Sequence, residues 1–173
     1  MVDLRAKPYY LSDEDIAWVE GTIAAMPPEE KVGQLFWQLT ACNMAFASVV
    51  DITYNWECEK VLSRAYGNDA EIVAEMGKAF MDGLHETDGV YCCAKHFPGN
   101  GQDYRDAHLS NNVNHFTHDK WMATYGHVYK TLIDGGLDAI MGGHILMPEY
   151  MAEINPEINA DTIMPGTLCK EIM

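Results

Sequence analysis

Three short apolar runs, Ala45 to Val50, Val90 to Ala94 and Leu137 to Met141, each end in polar residues: Asp51, then Lys95 with His96, then His144. Between them the apolar residues recur at helical spacing. Short runs without polar alternation are what strands covered on both faces require, and strands that alternate with helices dictate a parallel α/β architecture with right-handed crossovers. In such a fold the polar residues that close the strands gather at one rim, where sites form.

The helical segments have readable starts. Ser12-Asp13-Glu14-Asp15 offers a capping serine and acid in the first turn, followed by Ile16, Val19, Ile23 and Met26 at helical spacing. Pro27-Pro28 ends that helix, and Glu29 begins another. Asp69 can cap a helix carrying Ile72, Met76, Phe80 and Leu84, and Thr117 one carrying Trp121, Tyr125, Val128 and Leu132. Both stripes are expected to be core faces.

Chemistry concentrates after the second run. Lys95-His96-Phe97-Pro98-Gly99-Asn100-Gly101, with Asp106-Ala107-His108 a few residues on, combines cations, a proton-transfer pair and permissive glycines. The stretch from Phe97 to Phe116 is long for a strand-to-helix loop, and loops of that length are functional or disordered. An imidazole titrates near neutrality, and an adjacent carboxylate fixes its tautomer and stabilises the imidazolium.

That segment resembles the signature of glycoside hydrolase family 3, in the branch that includes β-N-acetylglucosaminidases. The resemblance extends to Met26 through Phe36, similar to the family's opening helix, and to Phe46 through Ile52, similar to an early strand. It continues in Ser63 through Asp69, similar to the arginine loop, and in Ala139 through Ile145, similar to a later strand. It implies a (β/α)8 barrel and a retaining glycosidase without cofactor or metal, acting on terminal β-linked sugars. Lys95, His96 and Arg64 would donate to sugar hydroxyls, and Asp106 with His108 would form the acid/base pair. Asp51 and His144, which close strands, would line the pocket or serve as structural hydrogen-bonding groups. Asn100 stands where many members carry His or Asp, so no charged group acts there.

The chain also departs from the family pattern. Segments resembling Gln34 to Leu39 and Cys42 to Ile52 nearly abut, whereas relatives place further strands and helices between them. The family's nucleophilic Asp lies on a strand beyond the point reached by Ile163 to Met173, so no residue here inherits that role. A whole barrel needs about 250 residues, and this chain has 173. The expectation is therefore an incomplete (β/α)8 domain spanning 1–173, with family segments missing near 39–42 and after 173. Its open sheet edges and uncovered helix faces would invite self-association or partial disorder.

Charge narrows the partners. Twenty-six acidic against 11 basic residues give a formal charge of −15, which opposes nucleic-acid binding and suits a neutral carbohydrate. No run approaches the about 18 apolar residues of a membrane span, and the N-terminus lacks a signal pattern, so a cytoplasmic protein is expected. Cys42, Cys58, Cys92, Cys93 and Cys169 lack metal spacing and are read as reduced, structural thiols. His96, His108, His115 and His118 follow no tight zinc pattern. Three functions stay open: a β-N-acetylhexosaminidase, a β-glucosidase, and a sugar-binding fragment without turnover.

Overall fold

A computed structural model describes Arg5 and residues 10–28, 43–159 and 161–173. It divides into two compact units, Met1–Asn43 and Met44–Met173. In the first, helix α1 (Asp13–Ala25) begins in a capping box: Ser12 Oγ accepts from the Asp15 amide and the Asp15 carboxylate from the Ser12 amide, each at 3.1 Å. Ile16 is buried but Ile23 is exposed, so the expected apolar stripe is covered only in part. The helix expected from Glu29, and the segment from Gln34 to Cys42, lie outside the described residues.

The second unit is α/β with parallel strands, as expected. Strands β1 (Met44–Ala45), β2 (Tyr91–Phe97) and β4 (Ala139–Gly142) form a parallel sheet in the order β1-β2-β4. The apolar run beyond β1 stays alongside β2: Lys95 donates its amide to Ser48 O at 3.0 Å, and Val50 donates to Lys95 O at 2.9 Å. Strand β2 continues through Phe97, so Lys95 and His96 belong to the strand rather than following it. Two short strands, β3 (Asn112–Val113) and β5 (Ile145–Leu146), pair in parallel as a second small sheet. No helix among the described residues is long and apolar enough to cross a membrane.

Helices α2 (Glu59–Leu62), α3 (Ala70–His85), α4 (His118–Trp121), α5 (His127–Asp134) and α6 (Pro148–Ile154) follow the strands. Asp69 caps α3 by accepting from the Glu71 and Ile72 amides, and Thr117 caps α4 through the Lys120 amide, both as expected. A π-helical turn, Met122–Gly126, joins α4 to α5. The stripe Trp121, Tyr125, Val128, Leu132 is buried throughout.

The stripe expected on α3 is not. Ile72, Met76 and Phe80 are exposed, and Val73, Ala74, Gly77 and Met81 are buried instead. The reason is the closeness of packing: a Cβ built on Gly77 would sit 2.9 Å from Val50 Cγ1 and 3.5 Å from Leu132 Cδ2. Without a side chain at Gly77 the helix can approach the sheet that far, and Ile72, Met76 and Phe80 occupy the neighbouring flank.

The core gathers Val50, Ile52, Val73, Ala94, Tyr125 and Leu132 between sheet and helices. Above it, at the carboxyl ends of the strands, lie Asp51, His96, Asn100 and the segment from Gly142 to His144.

Candidate active site

His96 stands where the ladder breaks. Lys95 pairs with Met141 and Phe97 with Gly142, so His96 is the extra residue of a bulge. Bulges re-aim side chains, and here the imidazole is turned onto Asp51. Its Nδ1 lies 2.7 Å from Asp51 Oδ2. Asp51 Oδ1 accepts the backbone N–H of His96 at 3.1 Å and of Asn100 at 2.7 Å. Asp51 is wholly buried. It therefore does not line the pocket as a sugar-facing carboxylate would; it lies beneath, holding the imidazole and the start of the loop. The Lys95–His96 and Phe97–Pro98 peptides are both cis.

The loop after β2 is fixed from both sides. Trp121 Nε1 donates to Pro98 O at 2.6 Å, and Tyr125 Oη to Asn100 O at 2.5 Å, so the two aromatic residues flanking the α4–π junction each anchor it. Buried Asn114 donates to Gly99 O at 3.0 Å and accepts from Gln102 Nε2 at 2.6 Å. Buried Asn112 donates to Arg105 O at 2.9 Å. The loop is thus an ordered, side-chain-braced structure. The left-handed positions fall on Gly99 and Gly101 rather than on Asn100.

This bracing presents Asp106 and His108 at a pocket of about 180 Å³ whose lining includes Arg64, His96, Asn100 and His144. His108 Nδ1 lies 2.7 Å from Asp106 Oδ1, which also accepts the His108 amide at 3.0 Å. Lys60 Nζ binds the other oxygen at 2.9 Å. The His108 amide, then the Lys60 ammonium and the His108 ring, hold the Asp106 carboxyl far below the usual carboxylate range. An ionised carboxylate only accepts, so His108 carries its proton on Nδ1 and keeps Nε2 for a ligand. The His108 side chain is 82% exposed, so Nε2 needs no opening motion to meet one.

A group with a depressed folded-state pKa stabilises above its unfolded value, about 3.9 for Asp, and the contribution is lost as pH falls toward the folded value. The difference in urea midpoint between the wild type and Asp106→Asn is therefore expected to be present at pH 7 and to shrink below about pH 4. Parallel pH dependences of the two proteins would contradict this.

The remaining candidates separate. His144, beyond β4, faces the pocket with Nδ1 2.5 Å from Thr167 Oγ1. Arg64 lines the pocket, its Nε donating to Lys60 O at 2.6 Å. Lys95 is half-buried on β2 and is not among the lining residues. Burial first, and repulsion from the nearby Arg64 second, lower its pKa. Lys60 was missed by motif reading. Its signal was the four-residue spacing to Arg64, which lies in the turn directly after α2.

Parallel strands with a bulge-aimed imidazole at their carboxyl ends, and loops that bring a histidine–carboxylate pair and an arginine to the same rim, are the arrangement of a TIM-barrel-type α/β domain. Residues 38–172 match the glycosyl hydrolase family 3 N terminal domain, and the chain belongs to that family.

Relatives agree. A beta-N-acetylglucosaminidase/beta-glucosidase of Cellulomonas fimi is 26% identical over 267 residues, covering 100% of this chain and 47% of the relative. A beta-hexosaminidase of Hydrogenovibrio crunogenus is 35% identical over 107 residues, 62% of this chain and 29% of the relative. Among solved structures, the beta-glucoside phosphorylase BglX bound to 2FGlc superposes with a TM-score of 0.73 at 27% identity, covering 98% of this chain and 48% of that one. A family 3 beta-N-acetylglucosaminidase from Paenibacillus sp. str. FPU-7 gives 0.68 at 28% identity, covering 84% of this chain and 26% of that one. The chain thus spans less than half the length of these relatives.

Proposed function

We propose that this chain is the sugar-binding and proton-transfer part of a retaining β-N-acetylhexosaminidase, and that the observation carrying the reading is the Lys60–Asp106–His108 array at the pocket. In this reading protonated His108 Nε2 delivers its proton to the leaving oxygen while Asp106 stabilises the imidazolium. The neutral ring then takes a proton from the incoming water. Arg64, His96 and His144 hold sugar hydroxyls at the pocket, with Lys95 donating from the strand beside it. Asp51 acts through His96.

Retention also needs a nucleophile about 5–5.5 Å from the acid/base group. Asp106, already paired, is the sole carboxylate among the described residues lining the pocket. The same proposal therefore holds that 1–173 is a partial barrel domain, with segments missing near 39–42 and after 173, whose nucleophile lies elsewhere in the family's domain. The stretch matched in the Cellulomonas fimi relative, 267 residues against 173 here, supports segments absent from within the span. Exposed Ile72, Met76 and Phe80 support a helix face that self-association or further barrel helices would cover. A cytoplasmic setting belongs to the same proposal. Cys58, Cys92, Cys93 and Cys169 are free and buried, with thiols pushed up by burial, which suits a reducing compartment.

The test is hydrolysis of nitrophenyl β-N-acetylglucosaminide and nitrophenyl β-glucoside by the 173-residue chain, beside a longer form carrying the family's remaining barrel segments. Activity is expected in the longer form alone, with the amino sugar preferred. Activity in the short chain would overturn the missing nucleophile, and preference for glucoside would select the β-glucosidase reading. Inactivity of both, with retained sugar binding, would leave a binding fragment. Running each assay with and without inorganic phosphate addresses a second reading, phosphate as acceptor in place of water. The likeness to a phosphorylase and the cations Lys60 and Arg64 at the pocket favour that reading.

A further inference from the structure

Among the described residues that line the pocket, Asn100 has the one polar side chain with neither a charge nor a titratable group. It is 8% exposed, and the protein engages most of its hydrogen-bonding groups. Its backbone N–H donates to Asp51 Oδ1 at 2.7 Å, its carbonyl accepts from the Tyr125 hydroxyl, and its Oδ1 accepts the Gly101 N–H at 2.8 Å.

The last bond decides which way the side-chain amide is turned. An N–H cannot donate to an NH2 group, so the oxygen faces the backbone and the nitrogen faces away from it. Nδ2 has no acceptor among the described residues, and it is not one of the buried polar atoms sealed from solvent. Its N–H groups therefore open on the pocket that Asn100 lines. A nearly buried amide, held by three internal bonds and with one donor group left open to a cavity, is set for a ligand.

The chemistry of the ligand group follows from what Nδ2 can do. It donates and never accepts, it is uncharged, and it does so at any pH, unlike the imidazoles of His96, His108 and His144 in the same pocket. Its complement is a neutral oxygen with no proton of its own, and a carbonyl oxygen is that group. A hydroxyl brings a proton that must still be placed, and the pocket's carboxylate, Asp106, already receives the His108 amide, the His108 ring and Lys60. An ammonium only donates and has nothing to meet at Nδ2.

We infer that Asn100 is a specificity-determining residue, whose Nδ2 donates to the carbonyl oxygen of a 2-acetamido group and so favours an N-acetylated amino sugar over the parent hexose. The inference rests on the β-N-acetylhexosaminidase reading of the pocket.

The experiment is calorimetric titration of the 173-residue chain, and of its Asn100→Asp and Asn100→Ala variants, with N-acetylglucosamine, glucose and glucosamine. The wild type is expected to bind N-acetylglucosamine about tenfold more tightly than glucose, the weight of one well-placed hydrogen bond. Asn100→Asp keeps an oxygen for the Gly101 N–H and replaces the donor by an acceptor. It should abolish that preference and strengthen glucosamine, which damage to the loop would not do. Asn100→Ala should bring N-acetylglucosamine level with glucose. If N-acetylglucosamine has no lead in the wild type, or keeps it in either variant, the Asn100 assignment is overturned and the pocket remains a sugar site. Equal losses for all three sugars in both variants would mark a structural residue and overturn it as well. If no sugar binds the wild type, the assignment and the pocket reading are both overturned.

Discussion

Gly101→Ala is expected to destabilise the second unit by about 4 kcal/mol or more, the scale of a backbone clash in a strained conformation. Gly101 has φ +111°, which L side chains rarely adopt, and a Cβ there would lie 2.0 Å from Ile52 O. That carbonyl cannot retreat. It belongs to the strand-end segment that holds Asp51, and the Tyr54 amide donates to it at 2.9 Å. Gly101 O in turn accepts the Asn55 amide, so the clash falls where two rim segments are joined. Gly99→Ala meets a second obstacle, with its Cβ 2.3 Å from the buried Tyr125 ring. Urea unfolding followed by circular dichroism checks the result. A Gly101→Ala protein within about 1 kcal/mol of the wild type would mean that the close approach is not built as described.

His108→Ala is expected to lower turnover by about 10²- to 10⁴-fold in the form that carries the family's remaining segments, the weight of general acid–base catalysis. Sugar affinity should change little, because in the proposed mechanism the imidazole acts on the leaving oxygen rather than on ring hydroxyls. The loss should be smaller for nitrophenyl glycosides, whose leaving group departs with little protonation, than for alkyl glycosides. Asp106→Asn should fall between wild type and His108→Ala, since it removes the tautomer control and leaves the ring. Equal turnover of His108→Ala and wild type on alkyl glycosides would sink the assignment. A uniform loss across leaving groups would point to positioning rather than proton transfer.

Much of the fold could be read from the sequence because the parallel sheet writes itself as apolar runs. Ala45 to Val50, Val90 to Ala94 and Leu137 to Met141 all lie at the sheet, and Asp69 and Thr117 cap the helices they precede. The α3 stripe misled because periodicity weighs large apolar residues, whereas the buried face was set by the space beside Val50, which admits only Gly77 at that point of the helix. Strands β3 and β5 were invisible: a two-residue ladder built on a buried asparagine has no hydrophobic signature. At the site, the Asp106–His108 pair was legible through the family resemblance, and the structure shows the carboxylate meeting both the ring and the amide of the histidine two residues on. What spacing could not announce was the third partner, Lys60, or the depth of Asp51. Both depend on which segments the sheet order brings together, a tertiary fact.

The burial of Asp51 carries a thermodynamic meaning for recognition. Its two oxygens fix an imidazole and two backbone amides in the unliganded protein, so the freedom of those groups is surrendered when the chain folds and not when a sugar arrives. Side-chain ordering at a binding site ordinarily subtracts about 0.5–1.5 kcal/mol per immobilised group from affinity. Here that charge against binding has already been met by the folding reaction, and stability and affinity draw on one residue. If the rim holds a sugar as proposed, a substitution at Asp51 would therefore be felt twice, once in the melting of the rim and again as weaker retention of a ligand that never touches the carboxylate.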